Sequence, residues 1–240
     1  MKKEEKKYYL FKYNVAFMNL FSFLLLIILA VATYFLYNKT DYIFDAKTMD
    51  IKDLKFILFI IGLVLWLFVH EVIHALSYVI NGAKPSSIET GVYIEKGVFY
   101  CSCKQYISRR NIMISSLAPF TIIGIITYII GFIINNPYLI LYSLFNISGS
   151  AGDLVLFNFL RNLPKDIEYR EYDDVLGFCI SSKSDLSKIK SIGVSLEETL
   201  DNDERITKCR NKQFYITKTS LVFLIIIIAM LILSAFYAIK

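Results

Sequence analysis

Residues 56–80 read FILFIIGLVLWLFVHEVIHALSYVI. The first fourteen of these, through Val69, carry no charge. A helix that crosses a bilayer needs about 20 consecutive mostly apolar residues, so this stretch reads as a membrane span. Near its end it carries His70, Glu71 and His74, which hydrocarbon tolerates only where they serve a purpose.

Four further stretches have the same character: 14–37, 112–134, 138–160 and 220–239. The expected fold class is therefore a polytopic α-helical membrane protein with five transmembrane helices. Asn135-Asn136-Pro137 separates the third and fourth spans and reads as a tight helical-hairpin turn, with proline near the start of the following helix. Composition agrees, since 56% of the 240 residues are hydrophobic and 20% are charged. The mean hydropathy is +0.52. Apolar residues in nearly charge-free blocks exclude a disulfide scaffold, a disordered tail and an ordinary soluble enzyme.

Basic residues in the connecting segments set the expected orientation. Five precede the first span (Lys2, Lys3, Lys6, Lys7, Lys12), and four follow it (Lys39, Lys47, Lys52, Lys55). Five lie between the second and third spans (Lys84, Lys96, Lys104, Arg109, Arg110), none in the hairpin turn, eleven in residues 161–219, and Lys240 stands at the end. An N-terminus in the cytoplasm and a C-terminus outside puts most of the positive charge within, as in a bacterial cytoplasmic-membrane protein. The net charge of +5 is then a topology signal, and no nucleic-acid partner is expected. The first span loosely imitates a secretory signal around Ala30-Val31-Ala32, but its uncharged run continues through Tyr37, which suits a retained anchor.

The domain reading follows: a basic cytoplasmic N-terminus (1–13), a four-helix membrane core (14–160), a cytoplasmic appendage (161–219) and a fifth span (220–239). Within the core, 88–94 and 98–103 are rich in β-branched and aromatic residues around Glu95-Lys96-Gly97, which predicts a β-hairpin over 88–103. Its edge could receive an extended peptide. In the appendage a strand is expected near 174–180, with short helices after Ser184 and Ser195, the latter from the capping-box pattern Ser195-x-x-Glu198. Cys101, Cys103, Cys179 and Cys209 all fall in segments placed in the reducing cytoplasm and are expected to be unpaired thiols.

Reading the spans for ionisable groups leaves four: His70, Glu71, His74 and Asp153. The first three form an H-E-x-x-H pattern, in which imidazoles four apart share a helical face and a neighbouring Glu can reach a water on the bound ion. The chain has two histidines and both are here. Random placement produces this arrangement on the order of once in 3,000 sequences. A catalytic zinc takes three protein ligands and an open position, so the third must supply oxygen or sulfur. Asp153 leads: the motif centre and Asp153 lie about 12 and 10 Å, respectively, from the cytoplasmic ends of their spans at 1.5 Å per residue. Glu197 or Glu198 is the rival, although nothing carries them to membrane depth. Asn146, Gly149 and Asp153 share one helical stripe, with Ser150 and Gly152 beside it, a packing seam of small residues.

These residues resemble a zincin-peptidase family of bacterial membrane proteins whose function is not assigned. That family in turn resembles the site-2 proteases, which are intramembrane zinc metalloproteases. The likeness runs over roughly 56–180 and includes Leu117-Ala118-Pro119 and Asp174-Val175-Leu176-Gly177-Phe178. It implies Zn2+, with His70, His74 and Asp153 as metal ligands and Glu71 as catalytic base. Site-2 proteases usually place Asn-Pro before the ligand Asp and Gly after it, whereas Ala151-Gly152-Asp153-Leu154 stands here. The expected function is a membrane-embedded zinc metallopeptidase acting on a membrane-protein or peptide substrate near the cytoplasmic face. The alternatives are a non-catalytic metal-binding scaffold or sensor, and a divalent-metal transporter. No residue pattern sets an oligomeric state.

Overall fold

A computed structural model describes residues 6–38, 54–93, 98–171 and 177–201. Two long helices come first, α1 (Val15–Asn38) and α2 (Leu54–Ile80). The third apolar stretch is a composite helix: α3 (Arg109–Pro119), a π-helical stretch (Phe120–Ile126) and α4 (Thr127–Ile133). The fourth is two helices, α5 (Pro137–Gly149) and α6 (Ala151–Arg161), bent by 45°. Among the described residues, three helices are long and apolar enough to cross a membrane, or four if the bent pair counts as one span. The expected fifth span, 220–239, and Cys209 lie outside the described residues.

The turn between α4 and α5 has the expected chemistry. Asn135 adopts φ 50°, Asn136 caps α5 by accepting the Leu139 N–H at 3.1 Å, and Pro137 opens the helix. At Gly131 a Cβ would stand 2.8 Å from Ile140 Cγ1, so the two helices close on a hydrogen atom there. The expected seam behaves differently: a Cβ on Gly149 would meet nothing within 4 Å, and one on Gly152 only Met18 Sδ at 3.8 Å. Close approach falls instead at Gly124, where a Cβ would stand 2.8 Å from Ile147 Cγ1.

The hairpin forms as β2 (Ile88–Tyr93) and β3 (Val98–Cys103), antiparallel with Ile88 opposite Cys103. A second sheet has the order β4-β5-β6-β1-β7, built from β1 (Lys7–Tyr13), β4 (Ile107–Ser108), β5 (Glu168–Glu171), β6 (Gly177–Ser182) and β7 (Val194–Leu200). The basic segment before the first span is thus an inner strand, and it joins the appendage in one sheet. Two expectations need correction. Residues 194–200 are a strand, because pairing with β1 on an open edge outweighs a local capping signal. No helix follows Ser184: the Asp185 carboxylate accepts the Ser187 N–H at 2.9 Å and closes a turn.

The core lies where the sheet meets the helix ends. Tyr9, Phe11, Phe159, Leu160, Tyr169 and Phe178 are almost fully buried together. The Phe11 ring packs edge-on against Phe159 at 4.9 Å and stacks on Phe178 at 5.7 Å. Arg109, at the start of α3, donates from Nε to the Leu160 carbonyl at 2.8 Å and from Nη2 to the Arg161 carbonyl at 2.6 Å. A cation there adds a donor to the carbonyls at the end of α6 and complements its dipole. The level of Asp153 relative to α3 is fixed by that clamp.

Candidate metal centre

On α2, His70 and His74 project from successive turns of one face and are both buried. Asp153 sits in the first turn of α6, beyond the bend at Ser150. A carboxylate at that position is favoured by the helix dipole. The bend brings Asp153 to both rings: its Oδ2 is 3.3 Å from His70 Nε2, and its Oδ1 is 3.3 Å from His74 Nε2. The two Nε2 atoms are 3.1 Å apart. Among the described residues, these three form the one group of His, Cys, Asp and Glu side chains with ligand atoms close enough to share a metal ion. Glu197 instead pairs with Lys12 across β1 and β7, and Glu198 lies opposite Leu10 in the same pairing.

The hydrogen bonds behind the rings fix their tautomers. His74 Nδ1 is 2.9 Å from the Ser115 carbonyl, which can only accept, so Nδ1 carries the proton. His70 Nδ1 is 2.9 Å from Asn146 Oδ1. The Asn146 amide is itself oriented, because its Nδ2 donates to the Pro119 carbonyl at 3.1 Å. In their neutral form both rings then present a bare Nε2 toward the other and toward a carboxylate. Three acceptors so placed would be satisfied together by a metal cation among them.

Zinc fits that cation. Bonds of about 2.0–2.2 Å at tetrahedral angles put ligand atoms roughly 3.3 Å apart; the two Nε2 atoms are 3.1 Å apart, and each Asp153 oxygen lies 3.3 Å from one of them. A histidine ligand ordinarily donates its second N–H to a carbonyl or carboxylate, as both do here. Glu71, next to His70 in the chain, is partly exposed and has no hydrogen-bond partner among the described residues.

One carboxylate near the centre had no signal in the sequence. Glu171, at the end of β5, accepts the Tyr78 hydroxyl at 2.9 Å and the Tyr169 hydroxyl at 3.2 Å on Oε1, and the Cys103 N–H at 3.1 Å on Oε2. It ties the sheet and the hairpin to α2 one turn beyond His74. Burial raises its pKa above the ordinary carboxylate range, against the pull of those donors. Asn146 was legible only as part of a packing seam.

Comparison with known proteins agrees with this reading of the residues. Residues 63–167 match the family described as "Putative zincin peptidase". Over 110 residues the chain is 29% identical to an uncharacterized 24.7 kDa protein in the gap 5′ region of Pyrococcus woesei. That match covers 45% of this chain and 48% of the relative, so the chain spans about half the length of the curated relative it matches. No solved structure matches the chain. The matched family stretch contains His70, Glu71, His74, Pro119, Asn146 and Asp153.

Proposed function

We propose that this protein is a membrane-embedded zinc metallopeptidase that hydrolyses a peptide bond near the cytoplasmic face of the membrane. The observation that carries the reading is the pair of bare imidazole nitrogens 3.1 Å apart, both facing one carboxylate. His70, His74 and Asp153 would hold the ion, whose Lewis acidity brings the pKa of a water toward 7 and polarises the peptide carbonyl. Glu71 takes the proton from the attacking water and passes it to the leaving amine. Asn146 and the Ser115 carbonyl keep both rings aimed while charge develops.

The substrate is a membrane protein or peptide. Its scissile stretch is extended, since helical hydrogen bonds would shield the carbonyl. The outer edge of β3 is suited to pair with such a stretch. Cys103 N–H points away from β2 toward Glu171, so by strand alternation Cys101 and Phe99 also present their N–H groups on that edge. The orientation with the N-terminus in the cytoplasm rests on the basic-residue counts.

The test is a pair of measurements on protein purified in detergent micelles: zinc content and cleavage of a quenched-fluorescent peptide library. Glu71→Gln is expected to keep zinc and lose at least 100-fold in cleavage rate, in line with the loss of a general base. Unchanged cleavage in Glu71→Gln contradicts the peptidase reading.

A further inference from the structure

In an α-helix, the carbonyl of residue 115 receives the N–H of residue 119. Residue 119 is proline, which has no N–H to give. Within α3 the Ser115 carbonyl is therefore left over, and it takes the Nδ1–H of His74 at 2.9 Å. The next donor along the chain does not compete, since the Phe120 N–H turns to the Leu117 carbonyl. Pro119 contributes a second time through its own carbonyl, which receives Asn146 Nδ2 at 3.1 Å. That contact turns Asn146 Oδ1 toward His70 Nδ1, 2.9 Å away. The whole relay is dry: Ser115 is 0% exposed and Asn146 2%.

We infer that Pro119 is a positioning residue of the metal centre: its missing N–H frees the Ser115 carbonyl for His74, and its carbonyl orients Asn146 and through it His70. One residue outside the ligand set thus fixes both imidazoles in the tautomer that leaves Nε2 bare. The inference rests on the metal reading of the site. It also accounts for a proline kept inside a helix, where it costs a hydrogen bond and a steric clash. A purely structural proline would serve only the passage from α-helix to π-helix that starts at Phe120.

The experiment uses the full chain in detergent micelles, stripped of metal. It measures zinc affinity by competition with a chromophoric chelator, and thermal unfolding of the stripped protein. Pro119→Ala restores an N–H that competes with His74 for the Ser115 carbonyl. The expected result is zinc affinity at least 10-fold below wild type, with the stripped protein melting no lower than wild type. Affinity within twofold of wild type overturns the inference. So does a loss of affinity accompanied by a lower melting temperature, which marks a structural role alone. Should Pro119→Ala not be obtained folded, Asn146→Ala decides, because it cuts the same relay at its middle: wild-type zinc affinity there overturns the inference. Wild-type protein that takes up no zinc overturns the metallopeptidase reading itself, a result separate from either variant.

Discussion

His70 Nε2 and His74 Nε2 lie 3.1 Å apart, each with its Nδ1–H committed to an oxygen behind it. A metal cation held between these nitrogens and the Asp153 carboxylate would satisfy all three acceptors at once. On the proposed reading, the stability of the bundle is coupled to the zinc that His70, His74 and Asp153 would hold. Chelation is expected to lower the melting temperature in micelles, and zinc to restore it. Magnesium is expected not to restore it, because it prefers six oxygen ligands. Differential scanning fluorimetry with each ion checks this, and equal rescue by magnesium contradicts it.

Asn146 is the partner of His70 and yields a graded outcome. Removing a partner behind a metal-bound histidine ordinarily costs about 10–100-fold in metal affinity. Asn146→Ala is expected in that range. Asn146→Asp keeps an acceptor for His70 Nδ1 and is expected to retain more affinity than Asn146→Ala. Chelator competition on both variants provides the comparison, and the reverse order would show that the Nδ1 contact does not orient His70.

The inner strand β1 makes the N-terminal segment part of the fold. Phe11 is 2% exposed and packs on Phe159 and Phe178. Phe11→Ala is expected to cost about 3–5 kcal/mol, the usual range for a buried phenylalanine. Gly177→Ala presses a Cβ to 2.3 Å from the Phe11 carbonyl oxygen, a backbone atom that cannot swing aside. Overpacking of that kind costs about 1–3 kcal/mol. Chemical denaturation followed by the near-ultraviolet signal of the sheet tyrosines would register both losses, and unchanged midpoints would place β1 outside the stable core.

The hairpin edge can be probed without breaking the hairpin. Phe99 presents its N–H outward, so Phe99→Pro removes an edge donor and leaves the ladder to β2 intact. Cleavage of the peptide library is expected to fall at least tenfold with zinc content unchanged. A variant that cleaves like wild type would show that substrate does not lie along β3.

Much of this geometry is legible in the sequence. The i, i+4 spacing put His70 and His74 on one face, and depth counted from two span ends put Asp153 at their level. The hairpin declared itself through β-branched residues around Glu95-Lys96-Gly97. What stayed hidden depended on partners far along the chain. Lys7-Tyr8-Tyr9-Leu10-Phe11-Lys12-Tyr13 reads as a basic flank until residues 177–182 and 194–200 pair with it. Ser195-x-x-Glu198 carries a genuine helix-start signal, which the open edge of β1 overrides. Periodicity placed Asn146 and Asp153 on one straight stripe, but the 45° bend at Ser150 separates their roles, one behind the ring and one in front. Pro119 enters the sequence reading only within Leu117-Ala118-Pro119; that it frees a carbonyl for His74 follows only from the side of α3 that α2 occupies.

The most direct measurement is zinc stoichiometry of the purified wild type beside Asp153→Ala, with X-ray absorption at the zinc edge on the loaded wild type. The account predicts one zinc per chain, bound by two nitrogens and at least one oxygen, and a stoichiometry near zero in Asp153→Ala. Full zinc occupancy in Asp153→Ala, or a wild-type first shell without two imidazole nitrogens, would contradict it.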